Sequence, residues 1–301
     1  MIAMALPEDP LKSDEATSGD APAELPFVDV ARHLAEQGLR VPAVYLDATA
    51  DKVLLLEDLG DIQLVDKVSD AAEDTVAAWY EAAVALLVDM HEKMWPVPHT
   101  CIAAKRNFGF DLLRWELDHY REWGVESVTG PLASEIKKKL DAAFDDLASE
   151  IDRLPKGFVH RDYQSRNLMV LKNEPKKENL AIIDFQDAFK GPRIYDLVAL
   201  LNDSYVNLTW QLKDRIIESY ADHRGLDARQ LKEEFLLVTI QRKLKDGGRF
   251  IFIDRVKNNP AYLPFVDTSF RRVKEALSRL PGHAELKVAL QEAAPTRFHS
   301  P

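Results

Sequence analysis

"GFVHRDYQSRNLMVL", Gly157 to Leu171, sets two apolar runs around a stretch of charged and amide side chains. "GFV" and "LMVL" have the length and content of short strands. The residues between them would form a loop held at both ends by packing. A solvated turn usually draws on Gly, Pro or Ser; this one carries His160, Arg161, Asp162, Gln164, Arg166 and Asn167. The carboxylate of Asp162 precedes the carboxamide of Asn167 by five residues. A second carboxylate, Asp184, closes the next apolar run, "LAIID". At the end of a buried strand it is costly unless something pairs with it. One divalent cation would satisfy Asp184 and Asn167 together, because Mg2+ takes hard oxygen ligands and completes its shell with phosphate oxygens. Asp162 would then be placed to accept a proton from a hydroxyl. Phosphoryl transfer divides its labour in this way: the nucleophile is positioned and the phosphates are neutralised.

Working outward, "MIAMAL" at the start reads as a strand, and residues from about 8 to 25, rich in Pro, Asp and Ser, read as a mobile linker. Phe27, Val30, Ala31 and Leu34 recur at helical spacing, with Gly38 suited to the end of that helix. "VPAVYLD" and "KVLLLEDLG" read as strands joined by the turn "ATAD". Val76, Tyr80, Ala83, Val84, Leu87 and Met90 mark a long helix, and two further helices follow before Pro155. Beyond "QDAFKGPRIYD" the chain reads as mostly helical, from Leu197 to about Ala294. The expected architecture is α+β: a small sheet lobe over residues 1–60 and a large helical lobe over 61–301 that holds the loop.

The formal net charge of -11 argues against a nucleic-acid backbone as partner, which needs a basic face. Cys101 is the only cysteine, so no intrachain disulfide forms. "MIAMAL" is too short for a signal peptide and no apolar run approaches a membrane span. The expectation is a cytoplasmic protein with no membrane partner. Its oligomeric state is not legible.

"HRDYQSRN" followed by "IIDFQ" resembles the catalytic loop and metal motif of the protein-kinase-like fold. "DFQDAFKGPRIYDLVAL" resembles its aminoglycoside phosphotransferase and choline kinase-like branch, with Gly191, Pro192, Tyr195, Asp196 and Leu197 at matching places. Within that branch, "PFVDVARHLAEQGLRVPAV", "LLLEDLGD" and "IQRKLKDGGRFIFI" are similar to bacterial anomeric kinases of N-acetylmuramate and N-acetylglucosamine. The resemblance implies ATP and Mg2+ as cofactors and a small hydroxyl acceptor, a sugar, as partner. It implies Asp162 as catalytic base, with His160 orienting the loop and Arg161 beside it. Asn167 and Asp184 would hold Mg2+. Glu57, Asp58 and Leu59 would form the hinge against adenine, and Asp196 would brace the loop.

The sequence departs from that pattern at its start. "MIAMAL" matches a third strand, so the first hairpin and its glycine-rich turn are missing from the pattern, Gly19 being the first glycine. Met4 or a neighbour stands where a phosphate-binding lysine is expected. Either the true start lies upstream or the protein is a degraded kinase; intact Asp162, Asn167 and Asp184 favour the former. Glu24 and Asp29 are both open as the helix glutamate that would pair with the lysine. Other candidates also stay open. Arg166 would meet phosphate or a surface carboxylate, and Gln186 and Asp187 would face the sugar or cap a turn. His91 reads as a core or interface histidine. Trp115, Tyr120 and Trp123 read as packing, and Glu116, Asp118, Asp203, Arg242, Lys243 and Lys245 are weak substrate contacts. The competing functions are a non-catalytic nucleotide- or sugar-binding module, and a kinase of an aminoglycoside, a choline-like alcohol or homoserine.

Overall fold

A computed structural model describes residues 1–8 and 24–298. The expected linker, apart from its first and last residues, lies outside the described residues, and so does Gly19. The chain folds into two compact units: Met1–Asn107 with Pro155–Ala228, and Phe108–Leu154 with Arg229–Pro301. The boundary expected near residue 60 falls inside the first unit. There the Val170 N–H reaches the Ile62 carbonyl at 2.8 Å.

In the first unit, β1 (Ile2–Ala5), β2 (Val44–Ala48) and β3 (Val53–Leu56) form an antiparallel sheet in the order β1-β3-β2. β3 is central, and its period of two sends Leu54 and Leu56 into the core. Helix α1 (Pro26–Glu36) opens on a proline, which suits a first turn, and buries Phe27, Val30, Ala31 and Leu34, the stripe read from the sequence. Gly38 follows it at φ 70°, the left-handed position that favours glycine after a helix. Helix α2 (Leu64–Val68) is a short element the sequence reading did not include. A capping box between Gln63 and Asp66 starts it.

Helix α3 (Glu73–Lys93) buries residues around much of its circumference, Trp79, Leu86 and Val88 as well as the expected stripe from Tyr80 to Met90, with Val76 half-buried, so it is a central helix rather than a surface one. Behind it stand two strand pairs. β4 (Lys156–Val159) pairs antiparallel with β7 (Phe189–Pro192), and β5 (Leu168–Val170) with β6 (Leu180–Ile182). β7, "FKGP", is a strand the sequence reading did not include. Its Gly and Pro hide a strand whose Lys190 N–H bonds the Arg106 carbonyl at 2.9 Å. Helix α7 (Tyr195–Leu201) is wholly buried, and α8 (Trp210–Arg224) starts on the Thr209 hydroxyl and ends at Gly225.

The second unit is helical. It contains α4 (Phe110–His119), a π-helical stretch over Tyr120–Glu126, α5 (Ser127–Thr129), α6 (Ser134–Asp152), α9 (Ala228–Lys257), α10 (Val266–Arg279) and α11 (Ala284–Ala293). α9 meets the π-helical stretch at Gly248, where a Cβ would stand 2.7 Å from the Tyr120 Cα. No helix among the described residues is long and apolar enough to cross a membrane.

Candidate active site

The loop between β4 and β5 is fixed from three directions. At its start, the buried carboxylate of Asp196 accepts the backbone N–H groups of His160 and Arg161, at 2.7 and 2.9 Å. These are strong bonds because the acceptor is charged. Asp196 is itself held by His91 Nε2 at 3.1 Å, and His91 Nδ1 meets the Tyr220 hydroxyl at 2.7 Å. In the middle, the buried Tyr163 hydroxyl donates to the Ala83 carbonyl of α3 at 2.8 Å. Further on, Asp203 accepts the Ser165 N–H at 2.9 Å and the Ser165 hydroxyl.

His160 ties the loop to the strand that carries Asp184: its Nε2–H donates to the Ile183 carbonyl at 3.0 Å. Its Nδ1 is buried with no hydrogen-bond partner among the described residues. Arg161 and Asp184 both adopt positive φ, 85° and 65°, which non-glycine residues hold only where their surroundings impose it. Asn167 joins the two carboxylate-bearing segments. Its Nδ2 donates to the Asp162 backbone carbonyl at 2.8 Å and to Asp184 Oδ2 at 3.0 Å. Gln186 Nε2 donates to the other Asp184 oxygen at 2.9 Å. The structure therefore gathers His160, Arg161, Asp162, Asn167 and Asp184 at one end of the two strand pairs.

Protein crowding around the Asp184 carboxyl pushes its pKa up; the Gln186 bond opposes this, and the nearby charges of Asp162 and Asp187 add to it. The side chain nonetheless opens to solvent, so a ligand reaches it. A crowded acid flanked by two more acids would favour a bound cation over an added negative charge. The donor set fits Mg2+: one carboxylate, and the Asn167 Oδ1 left over once Nδ2 is used, both hard oxygens.

Asp184 and Asn167 border a cleft of about 630 Å3, closed on its other side by Met4, Phe27, Leu56 and Leu59. Apolar walls with a few polar groups at one end suit a small ligand with a charged tail. Phe27 of α1 packs on Phe185, ring centroids 4.9 Å apart, so α1 bears directly on the residue after Asp184. The three hinge candidates separate here. Glu57 and Leu59 line the cleft, but the Glu57 carboxylate is gripped by Arg40 at 2.5 and 2.7 Å, which lowers its pKa. The Asp58 carboxylate caps the Gly60 N–H at 3.0 Å. A larger groove of about 770 Å3, around Lys139, Leu147 and His283, belongs to the second unit and contains none of the loop residues.

The remaining candidates find structural partners. Glu24 bonds Arg32, and Asp29 accepts the Ile102 N–H at 2.7 Å, so both open candidates for the helix glutamate are engaged locally. Arg166 lies over the Tyr205 ring at 3.5 Å. Asp203, read as a weak substrate contact, is buried and bonded to Ser165. Inside the second unit, Glu116 accepts from Gln241 at 2.7 Å, and Lys243 and Lys245 pair with Asp246 at 2.8 and 3.2 Å. Arg242 is buried with them, and Asp118 pairs with Arg114 and Arg121. Trp115 stacks on His119, and Trp123 meets Phe252 edge-on. Burial pushes the His119 imidazole down to about 4. The sequence reading missed His91 and Asp203 as supports of the loop. Each acts over 38 residues or more (His91 on Asp196, Asp203 on Ser165), and no local pattern marks such a contact.

Residues 11–231 match the phosphotransferase enzyme family. The N-acetylmuramate/N-acetylglucosamine kinase of Pseudomonas aeruginosa is 30% identical over 277 residues, covering 87% of this chain and 75% of that protein. The one from Pseudomonas putida is 29% identical over 276 residues, covering 89% and 77%. Among solved structures, a choline/ethanolamine kinase family protein from Mesorhizobium loti superposes with a TM-score of 0.57 at 16% identity, covering 87% of this chain and 82% of its own. The GDP complex of aminoglycoside 2'-phosphotransferase-IIIa gives 0.57 at 14% identity, covering 84% and 81%. At such identities these two speak for the fold alone.

Proposed function

The chain belongs to the phosphotransferase enzyme family, and from that premise we propose that it is an ATP-dependent kinase of N-acetylated amino sugars, acting on the anomeric hydroxyl. The observation that carries the reading is the single carboxamide, Asn167, bonded both to the Asp162 carbonyl and to the Asp184 carboxylate. It ties the proposed base to the proposed cation seat. Asp162, half-buried at the turn of the loop, takes the proton of the acceptor hydroxyl. The hydroxyl oxygen forms a bond to the terminal phosphorus of ATP, the bond from that phosphorus to the bridging oxygen breaks, and ADP leaves. His160 and Asp196 hold the base in place, and the cleft beside Leu56 and Leu59 takes the adenine. Asp184 and the Asn167 carboxamide oxygen would hold Mg2+, which when bound neutralises phosphate charge.

The sugar class rests on the two Pseudomonas relatives, whose names give N-acetylmuramate and N-acetylglucosamine as what they act on. Mg2+-dependent ADP release, measured with those two sugars beside choline, homoserine and an aminoglycoside, tests the proposal. Turnover with the amino sugars and a 1-phosphate product is expected. Turnover only with another acceptor overturns the sugar assignment. No ADP release with any acceptor, in a protein that still binds nucleotide, returns the chain to a binding module.

A further inference from the structure

Two carboxylates from α7 and its exit hold the two ends of the loop. Asp196, in the first turn, takes the His160 and Arg161 N–H groups. Asp203, two residues past the last turn, is 1% exposed and takes the Ser165 N–H and hydroxyl. Between the two anchors the chain doubles back, with the Gln164 N–H bonded to the Asp162 carbonyl at 2.8 Å.

The second anchor bears on the cation seat. Ser165 opens a single 3-10 turn, Ser165–Asn167, and the last residue of the turn faces Asp184. Asp203 also fixes what lies beside this turn. Its second oxygen accepts the Tyr205 N–H at 2.9 Å, and the Tyr205 ring underlies the Arg166 guanidinium. Ser165 and Arg166, two of the three residues of the turn, are thus held by the segment Asp203 organises.

We propose that Asp203, acting through Ser165, is a positioning residue that sets the seat of Asn167 and hence the affinity for the divalent cation, leaving the acceptor site untouched. The inference rests on the phosphotransferase reading above. Partners in the shell around metal ligands commonly change metal affinity by about 10- to 100-fold when removed. A carboxylate that only supported the fold would lower stability equally with and without cation.

The test uses the full chain with Ser165→Ala, Ser165→Thr and Asp203→Asn. The first readout is the Mg2+ concentration needed for half of the ADP-induced thermal shift, which needs no turnover. Ser165→Ala and Asp203→Asn should need on the order of 10-fold more Mg2+, while Ser165→Thr, which keeps the hydroxyl, behaves as the parent. The second readout is turnover against Mg2+. Saturating Mg2+ should restore kcat, with the acceptor KM unchanged. A folded Ser165→Ala with the parent's Mg2+ requirement overturns the proposal, as does a kcat loss that Mg2+ does not recover. Should Asp203→Asn fail to fold, Ser165→Ala decides, since it removes one bond and leaves the backbone N–H anchor. A parent that binds ADP but turns over no acceptor defeats the catalytic reading alone, because the thermal-shift arm still reads the cation seat.

Discussion

At the carboxyl of Asp184, burial and the neighbouring Asp162 and Asp187 all favour the neutral acid. Its folded-state pKa therefore lies above its unfolded value, and the empty protein loses stability as pH rises from the ordinary carboxylate range through that raised value. A cation binds the ionised form. The stabilisation given by Mg2+ and ADP together should thus grow as pH rises from about 4 to 7. Thermal shifts across that range check it; a shift independent of pH would remove Asp184 from the cation seat. Asp162, as the proposed base, does a different task. A positioned base contributes about 100- to 10,000-fold in rate, so Asp162→Asn should cost kcat at least the lower figure and leave ADP affinity close to the parent's. Steady-state kinetics beside calorimetry separates the two effects. Asn167 and Asp184 stand out in the sequence because one opens and the other closes an apolar run, where a polar group is out of place unless it has work, whereas Asp162 stands out by its spacing of five residues from Asn167. His91 and Asp203 do not, because their partners, Asp196 and Ser165, are met only when distant segments pack.

Among the secondary-structure elements, periodicity found the long ones and composition hid the short ones. Helix α3 and the buried stripe of α1 follow their spacing. β7 is concealed by the Gly191-Pro192 pair that ends it, and it forms because β4 offers a complete antiparallel partner from Lys156 to Val159. "FDLLRWELDHYREW" reads as one uniform helix, but α4 gives way to π-helical turns from Tyr120 onward. In the widened helix the Tyr120 ring packs onto Gly124, where a Cβ would stand 2.5 Å from it, and Gly248 brings α9 against the same tyrosine. Because the atom that a Cβ at 248 would meet is backbone, no rotamer change relieves it. Gly248→Ala should destabilise the protein by about 1–3 kcal/mol, read as a lower denaturant midpoint with an unchanged slope. A variant as stable as the parent would show that the two helices separate without cost.

On the scale of the whole molecule, every loop and cleft residue invoked above lies in the first unit, which the chain enters, leaves after Asn107 and re-enters at Pro155. The second unit, made of the helical insertion between those points and the helices from Arg229 onward, carries five of the six weak substrate candidates, Glu116, Asp118, Arg242, Lys243 and Lys245, and their charges are paired or buried there. Mg2+ and ADP bound at about 100 times their dissociation constant stabilise a protein by about 2.7 kcal/mol. Hydrogen exchange should place the resulting protection on residues 157–171 and 180–187; protection confined to the second unit would relocate the nucleotide. The cleft has one further consequence. Its charged lining includes the carboxylates of Asp61 and Asp184, and like charges there repel a bare diphosphate. In EDTA, then, the phosphate-free nucleoside adenosine should be held at least as tightly as ADP. Adding the divalent ion should reverse that order, so that the metal acts less as a late addition for catalysis than as the admission ticket for any phosphorylated form of the base.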